Sequence, residues 1–398
     1  MTEMEHDALL RLIEAGGSSA TRRLLMETHA GPPAALAAGA KAWRAAGCDE
    51  AQCRALEATG EVSTQRQRAR DWLVEPGHHL LGWHDPDYPA LLRRIGNPPI
   101  ALFVAGDPGL LWHPAVAIVG SRSPTSGGRD NARDFAHAIA TTGLGVTSGL
   151  AGGIDTAAHE AALAAGGITV AVLGSGIDIP YPRINAGLHA RIAANGAVVS
   201  EYLPGTEARR EHFPRRNRII AGLTLGVLVI EAAERSGALI TARLASESGR
   251  DVFAVPGSIH NPMARGCHRL IRDGAGLVES AHEVIAAIAP LASELGAALR
   301  MRLAAPNSGA GMSAGGAVGA DATVDPDYHR LWEALGHDPS GMDRLVVRTG
   351  LTTAELSSML LVMELEGRVS VEHGRYARRP HATASTAHTA PSSAGRGK

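Results

Sequence analysis

The chain has 398 residues, of which 45% are hydrophobic and 20% charged, with a formal net charge of −2. That length suits two or three domains with a substantial core, and the near-neutral balance excludes a general polycation, so a nucleic-acid partner would need a local basic patch. Cys48, Cys53 and Cys267 have neither metal-ligand spacing nor a disulfide framework. The start lacks a charged-then-apolar targeting pattern and no apolar run is long enough to span a bilayer, so the expectation is a cytoplasmic protein.

In chain order, residues 1–75 read as short helices. Leu9, Leu10, Leu12 and Ile13 recur at helical spacing, a glycine–serine break follows, and Leu24 and Leu25 resume the pattern. A loop around Trp83-His84-Asp85-Pro86 leads to a short strand at Ile100–Val104. From about 113 to 290 strands and helices alternate. The expected strands are Ala115–Val119, Gly145–Thr147, Ile168–Leu173, Ala197–Ser200, Leu225–Ile230 and Asp251–Val255. The expected helices are Asp130–Thr141, Thr156–Ala165, Ala186–Ala194 and Leu239–Ser248, the last closed by Gly249. Such alternation predicts a doubly wound α/β domain with a mostly parallel sheet, whose ligands sit beyond the carboxyl ends of the strands.

Residues 303–325 are Ala, Gly, Ser and Asp without periodicity, which reads as a flexible linker. Tyr328 to Tyr376 reads as three helices, the third opened by a Thr352–Glu355 capping box, and a hairpin turning at His373-Gly374. That order suggests a winged helix over 326–379, followed by a disordered tail at 380–398.

Four loops rich in small residues fall at the predicted ligand edge: Gly120-Ser121-Arg122, Ser148 to Asp155 with Gly149 and Gly152, Gly174-Ser175-Gly176 with Tyr181-Pro182 behind it, and Arg235-Ser236-Gly237. In the first, a buried strand stops at small residues where backbone N–H groups and a helix dipole favour an anion, and Arg122 adds a forked donor for phosphate. Either a nucleotide or a nucleic-acid backbone satisfies that chemistry. Asp155 and Ser236 are expected as helix N-caps, and His159 as a hydrogen-bonded, half-buried histidine.

A second signal is basic. Gly205 to Arg218 holds Arg209, Arg210, Arg215, Arg216 and Arg218 around Phe213, against Glu207 and Glu211. Arginines bracketing an aromatic suit single-stranded nucleic acid, with guanidinium groups on phosphates and the ring on a base. A solvated loop anchored by Phe213 is the plainer reading of the same residues.

Several enzyme signatures are missing. There is no Gly-x-x-x-x-Gly-Lys-Ser/Thr segment, the first loop is not Gly-x-Gly-x-x-Gly, and no acid ends the strand at Thr147. The Gly-x-Ser-x-Gly match at Gly311 to Gly315 follows no strand. No residue cluster has metal spacing. Nothing announces catalysis.

Taken together, Val116–Gly128, Gly145–Ala162, Val170–Pro182, Phe213–Leu223, Glu231–Gly257 and Gly266–Val278 resemble the DprA/Smf family of DNA-processing proteins. The resemblance spans roughly 80 to 290. It implies an extended Rossmann-like domain at 76–295, preceded by a SAM-like helical module and followed by the winged helix. It further implies a non-enzymatic homodimer that binds single-stranded DNA and needs no cofactor. Such a protein protects incoming strands, relieves single-strand-binding protein and delivers them to RecA in natural transformation. Matched positions make Arg122 a phosphate holder beside Gly120 and Ser121, with Ser148, Gly149, Gly152 and Gly174 lining the same surface. Gly205, Arg210 and Phe213 match the basic-and-aromatic segment, and Arg216, Asn217 and Arg218 its Arg-Asn-Arg element. The third winged helix carries Glu355, Glu364 and Glu366 but no Lys or Arg, which argues against duplex reading by that helix. Two other readings remain. One is a Rossmann-like nucleotide-binding enzyme of the phosphoribohydrolase type, whose Pro-Gly-Gly-x-Gly-Thr segment is absent. The other is a winged-helix regulator with a ligand-sensing central domain.

Overall fold

The computed structural model describes residues 2–58, 62–304 and, beyond them, 326–335, 340–353, 356, 359, 360, 363, 369–372 and 375–378. The chain divides into a unit of residues 1–307 and a unit of residues 308–398. Apart from residues 303 and 304, the expected linker lies outside the described residues, as do the tail, Glu355 of the capping box and the hairpin turn.

The first unit opens with helices α1 (Glu3–Glu14), α2 (Ser19–Thr28), α3 (Pro32–Ala37), α4 (Gly39–Ala45), α5 (Glu50–Glu57) and α6 (Thr64–Val74). Capping boxes start two of them, Thr2 with Glu5 and Asp49 with Gln52. Their apolar residues Leu9, Leu12, Leu25, Trp43 and Leu56 form one cluster with Phe103, Ala171 and Val198 of the sheet that follows. Helices and sheet therefore share a continuous core. All three cysteines are buried and free.

The sheet strands are β1 (His78–Gly82), β2 (Ala101–Gly106), β3 (Ala115–Val119), β4 (Gly145–Ser148), β5 (Thr169–Val172), β6 (Ala197–Ser200), β7 (Gly226–Val229), β8 (Asp251–Ala254) and β9 (Gly276–Leu277). They lie in the order β1-β2-β6-β5-β4-β3-β7-β8-β9. β3 to β9 pair in parallel, while β2 joins β6 and β1 joins β2 antiparallel. The connecting helices are α7 (Ala90–Arg93), α8 (Ser126–Thr141), α9 (Ile154–Ala164), α10 (Ala186–Asn195), α11 (His212–Gly222), α12 (Gly237–Glu247), α13 (Arg265–Arg272) and α14 (Ala281–Ala304).

Side chains alternate across each strand. Ala117, Val119, Val227 and Val229 pack with Ile219, Ile220 and Ala238 of α11 and α12. Val116, Ile118, Val146 and Leu228 pack with Ala136, Ile139, Ala158 and Val284 on the other face. Burial on both faces explains why the parallel strands read as uniform apolar runs.

From β3 the chain winds outward through β4 and β5 to β6, then returns to the far side of β3 to lay down β7. The crossover places a topological switch point between β3 and β7, where doubly wound sheets open a crevice beyond the carboxyl ends of the strands. The loops after β3 and β7 carry Gly120 to Thr125 and Glu231 to Ser236.

In the second unit α15 (Pro326–Leu335), α16 (Met342–Thr349) and the strands β10 (Ser340–Gly341), β11 (Val369–Glu372) and β12 (Arg375–Arg378) surround Leu331, Leu335, Leu345, Leu360 and Met363. The sheet order is β10-β12-β11, and helices closed by a β-ribbon make a winged-helix arrangement.

Candidate nucleic-acid interface

The floor of the switch-point crevice is built from backbone. A Cβ on Gly120 would lie 2.7 Å from Ile154 Cγ1 and 2.9 Å from the Glu231 carbonyl oxygen, so only glycine lets β3 end this close to its neighbours. The next loop is tied on from α9: Ile154 N–H donates to the Ser121 carbonyl at 3.1 Å. From the β7 side the Glu231 carboxylate accepts from Thr125 N at 2.9 Å and from Thr125 Oγ1 at 2.6 Å. Thr125 Oγ1 itself accepts from Gly128 N, capping α8. That cap starts α8 at Ser126, ahead of the Asp130 start expected from its sequence.

The second loop is held from within. Ser148 Oγ donates to the Ile118 carbonyl at 2.6 Å. The Asp155 carboxylate accepts from Gly149 N at 3.1 Å and Ala151 N at 3.3 Å. Asp155 is therefore not the expected N-cap, because Gly153 holds that position with φ 81° and the carboxylate turns back onto the loop. Ser236 does cap, accepting from Ala238 N at 3.2 Å.

Arg216 lies under the same loop. It is 4% exposed, and Nη1 donates to the Gly149 carbonyl at 2.6 Å and to the Val172 carbonyl. Burial pulls its pKa down to about 10 against the opposing pull of Asp155, so it stays a cation at neutral pH. Burial likewise raises Asp155, which Arg216 and the two loop N–H groups counteract. Asn217 donates to the Gly237 carbonyl at 3.2 Å. Arg218 turns to the other face of α11 and pairs with Glu201 at 2.5 Å. Each side chain of the Arg-Asn-Arg element, expected as direct contacts, is bonded within the protein and largely buried, and Arg216 and Asn217 also line the cavity described next.

Four exposed or half-buried groups stand above this floor. The Phe213 ring rests on Gly174, where a Cβ would lie 3.1 Å from its Cδ1. The Arg122 guanidinium carbon sits 5.3 Å from the ring centroid, and the Tyr181 ring 5.4 Å away at 45°. Arg210 is exposed. Gly120, Ser121, Arg122, Tyr181, Arg210 and Phe213 line one side of a cavity of about 820 Å³ that continues to Ser236 and Thr241.

Of the remaining expected residues, Ser148, Gly149 and Gly174 act as floor and support. Gly152 approaches the Arg122 carbonyl, at 3.8 Å from a Cβ built on it. Gly205, with φ 84°, donates to Asp178 Oδ1 at 2.8 Å and does not line this cavity. Sequence reasoning missed Glu231, although a carboxylate directly after an apolar strand at the ligand edge was a usable signal. It left Tyr181 in the background, since nothing in the chain order brings that ring to Phe213. His159 is fully buried rather than half-buried. Its Nδ1 lies 2.7 Å from Thr169 Oγ1, whose proton goes to the Val146 carbonyl. Among the described residues no group of His, Cys, Asp and Glu could hold a metal ion, and no helix is long and apolar enough to cross a membrane.

Residues 79–289 match the family described as DNA recombination-mediator protein A, and residues 316–375 match the DprA winged helix domain. Protein Smf of Escherichia coli is 39% identical over 319 residues, covering 77% of this chain and 79% of the relative. The DNA processing protein DprA of Streptococcus pneumoniae is 49% identical over 202 residues, covering 51% of this chain and 71% of the relative. The X-ray structure of DNA processing protein A from Streptococcus pneumoniae superposes with a TM-score of 0.63 at 36% identity, over 72% of this chain and 98% of that one. A glycine-floored crevice at the switch point, a winged-helix second unit and these matches along most of the length lead to one conclusion: the chain belongs to the DprA/Smf family of DNA-processing proteins.

Proposed function

We propose that the protein binds single-stranded DNA in the switch-point cavity without transforming it chemically. The observation that carries this reading is the Phe213 ring on its glycine floor, flanked by Arg122 and Tyr181 at 5.3 and 5.4 Å. An aromatic face serves any base by stacking, and guanidinium groups beside it serve the backbone. The Pro-Gly-Gly-x-Gly-Thr segment of the phosphoribohydrolases is absent from the sequence. That disfavours the phosphoribohydrolase reading. Membership of the family supports a homodimer that hands strands to RecA, shields them and relieves single-strand-binding protein, in the cytoplasm.

A titration with single- and double-stranded oligonucleotides at two salt concentrations tests this. Single strands should bind with little sequence preference and a log–log salt slope of about −0.7 per phosphate contact. Phe213→Ala removes one stack, a loss of about 1–3 kcal/mol, while the denaturation midpoint stays put. Arg122→Ala should weaken binding and flatten the slope. Parent-like binding by both variants overturns the assignment.

A further inference from the structure

We propose that a second cavity, on the opposite face of α11, is a further subsite for the same DNA strand and takes phosphodiester groups beyond the base held by Phe213. The inference rests on the reading of the first cavity as a single-strand site. The helical period puts Phe213, Arg216, Asn217 and Ile220 on the face toward the first cavity, and Arg215 and Arg218 toward the second. Pro214 lines both. Just before the helix the division repeats, since Arg210 lines the first cavity and Arg209 the second. The N-terminal end of α11 is thus a ridge with one cavity on each flank and arginines facing both ways.

The second cavity, also about 820 Å³, is enclosed by α1, α2, the Asn97–Ala101 segment and the residues after β6. Its internal charges are already matched. Glu14 pairs with Arg66 at 2.7 Å, and Glu201 with Arg218 at 2.5 Å. Arg22 donates to the carbonyls of Leu12, Ile13 and Gly17. Arg209 and Arg215 are exposed, and their guanidinium groups have neither a hydrogen bond nor an ion pair among the described residues. Two unengaged guanidinium groups on a wall whose carboxylates are neutralised make a site for anions, and the fork of each suits phosphate. The shared Pro214 and the adjacent Arg209 and Arg210 make the two sites continuous, which favours successive phosphates of one polymer over a separate small anion.

The test compares oligothymidylates of about 6 and about 16 nucleotides, within the range of known single-strand sites, on the full chain. The variants are Arg209→Ala with Arg215→Ala, a control with Arg191→Ala and Arg269→Ala away from both cavities, and Phe213→Ala. The expected result is that the Arg209/Arg215 variant binds the short oligomer like the parent but the long one at least tenfold more weakly. Its salt slope for the long oligomer should be shallower by about 1.4, two contacts at about 0.7 each, with the control unchanged. Equal loss for both lengths, loss for neither, or an equal loss in the control overturns the second subsite. Failure of the parent to bind the short oligomer, or parent-like binding of it by Phe213→Ala, overturns the first-cavity reading itself.

Discussion

Arg210 and Arg216 belong to one stretch of sequence and look alike there, yet the two ends of that stretch are built for different tasks. Before α11 the arginines are exposed, and their guanidinium groups are unengaged by the described residues. One turn into the helix, Arg216 is enclosed, with Nη1 shared between the carbonyls of the β4 loop and β5. A buried guanidinium organises backbone, and an exposed one is available to a partner. Residue type does not separate these roles. The face of the helix does.

The comparison is tested most severely at Arg216. Replacing it with alanine strips the Gly149 and Val172 carbonyls of their donor, at about 1–3 kcal/mol for each buried group left unsatisfied, and removes a cation that offsets the burial of Asp155. Urea denaturation of Arg216→Ala should show a midpoint loss on that scale. If the midpoint holds and only DNA binding falls, Arg216 is a contact after all. The next effect is at Glu231. Glu231→Ala orphans Thr125 N and should cost about 1–3 kcal/mol, while also loosening the loop that carries Arg122. Stability and binding should fall together, in contrast to Arg122→Ala, where binding alone falls.

A pH-dependent effect, small near neutrality, comes from His159. Burial drops its pKa to about 3, and the nearby Arg216 charge adds to the drop. Because Thr169 Oγ1 gives its proton to Val146, His159 must carry its own proton on Nδ1, and buried Nε2 has no partner. The unfolded chain binds a proton near pH 6.5, well before the folded one. This contribution is therefore complete above about pH 6.5 and is lost as pH falls toward 3, by up to about 1.4 kcal/mol per pH unit. Denaturation midpoints across pH 4–7 should show the slope, and His159→Gln should remove it.

Much of the sheet was legible because strands buried on both faces are written as short apolar runs between glycine loops. Ala115–Val119 and Ala197–Ser200 end where expected. β1 was not legible, since its His78-His79 start carries no apolar pattern, and β9 has two residues, too few for any period. α11 was hidden for another reason. Pro214 reads as a breaker, but it falls in the first turn, where a helix has no use for the missing N–H. Read as a loop, the segment displayed all its arginines to solvent. Folded as a helix, it turns some of them inward. The candidate site shows the same limit. Gly120, Ser121 and Arg122 are contiguous and legible, whereas Tyr181 meets Phe213 and Glu231 meets Thr125 through tertiary packing that local sequence does not encode.

The interlock of the first two loops has a thermodynamic consequence. Gly153 lies so close to the Ser121 and Arg122 backbone that a Cβ there would come within 2.4 Å of the Ser121 carbonyl oxygen, and Ile154 N–H is bonded to the same oxygen at 3.1 Å. The two loops form a single bracket that neither can leave alone. On the proposed function, an arriving strand would meet a floor that is already ordered, and the freedom lost on association would fall on the side chains of Arg122 and Arg210, about 0.5–1.5 kcal/mol each.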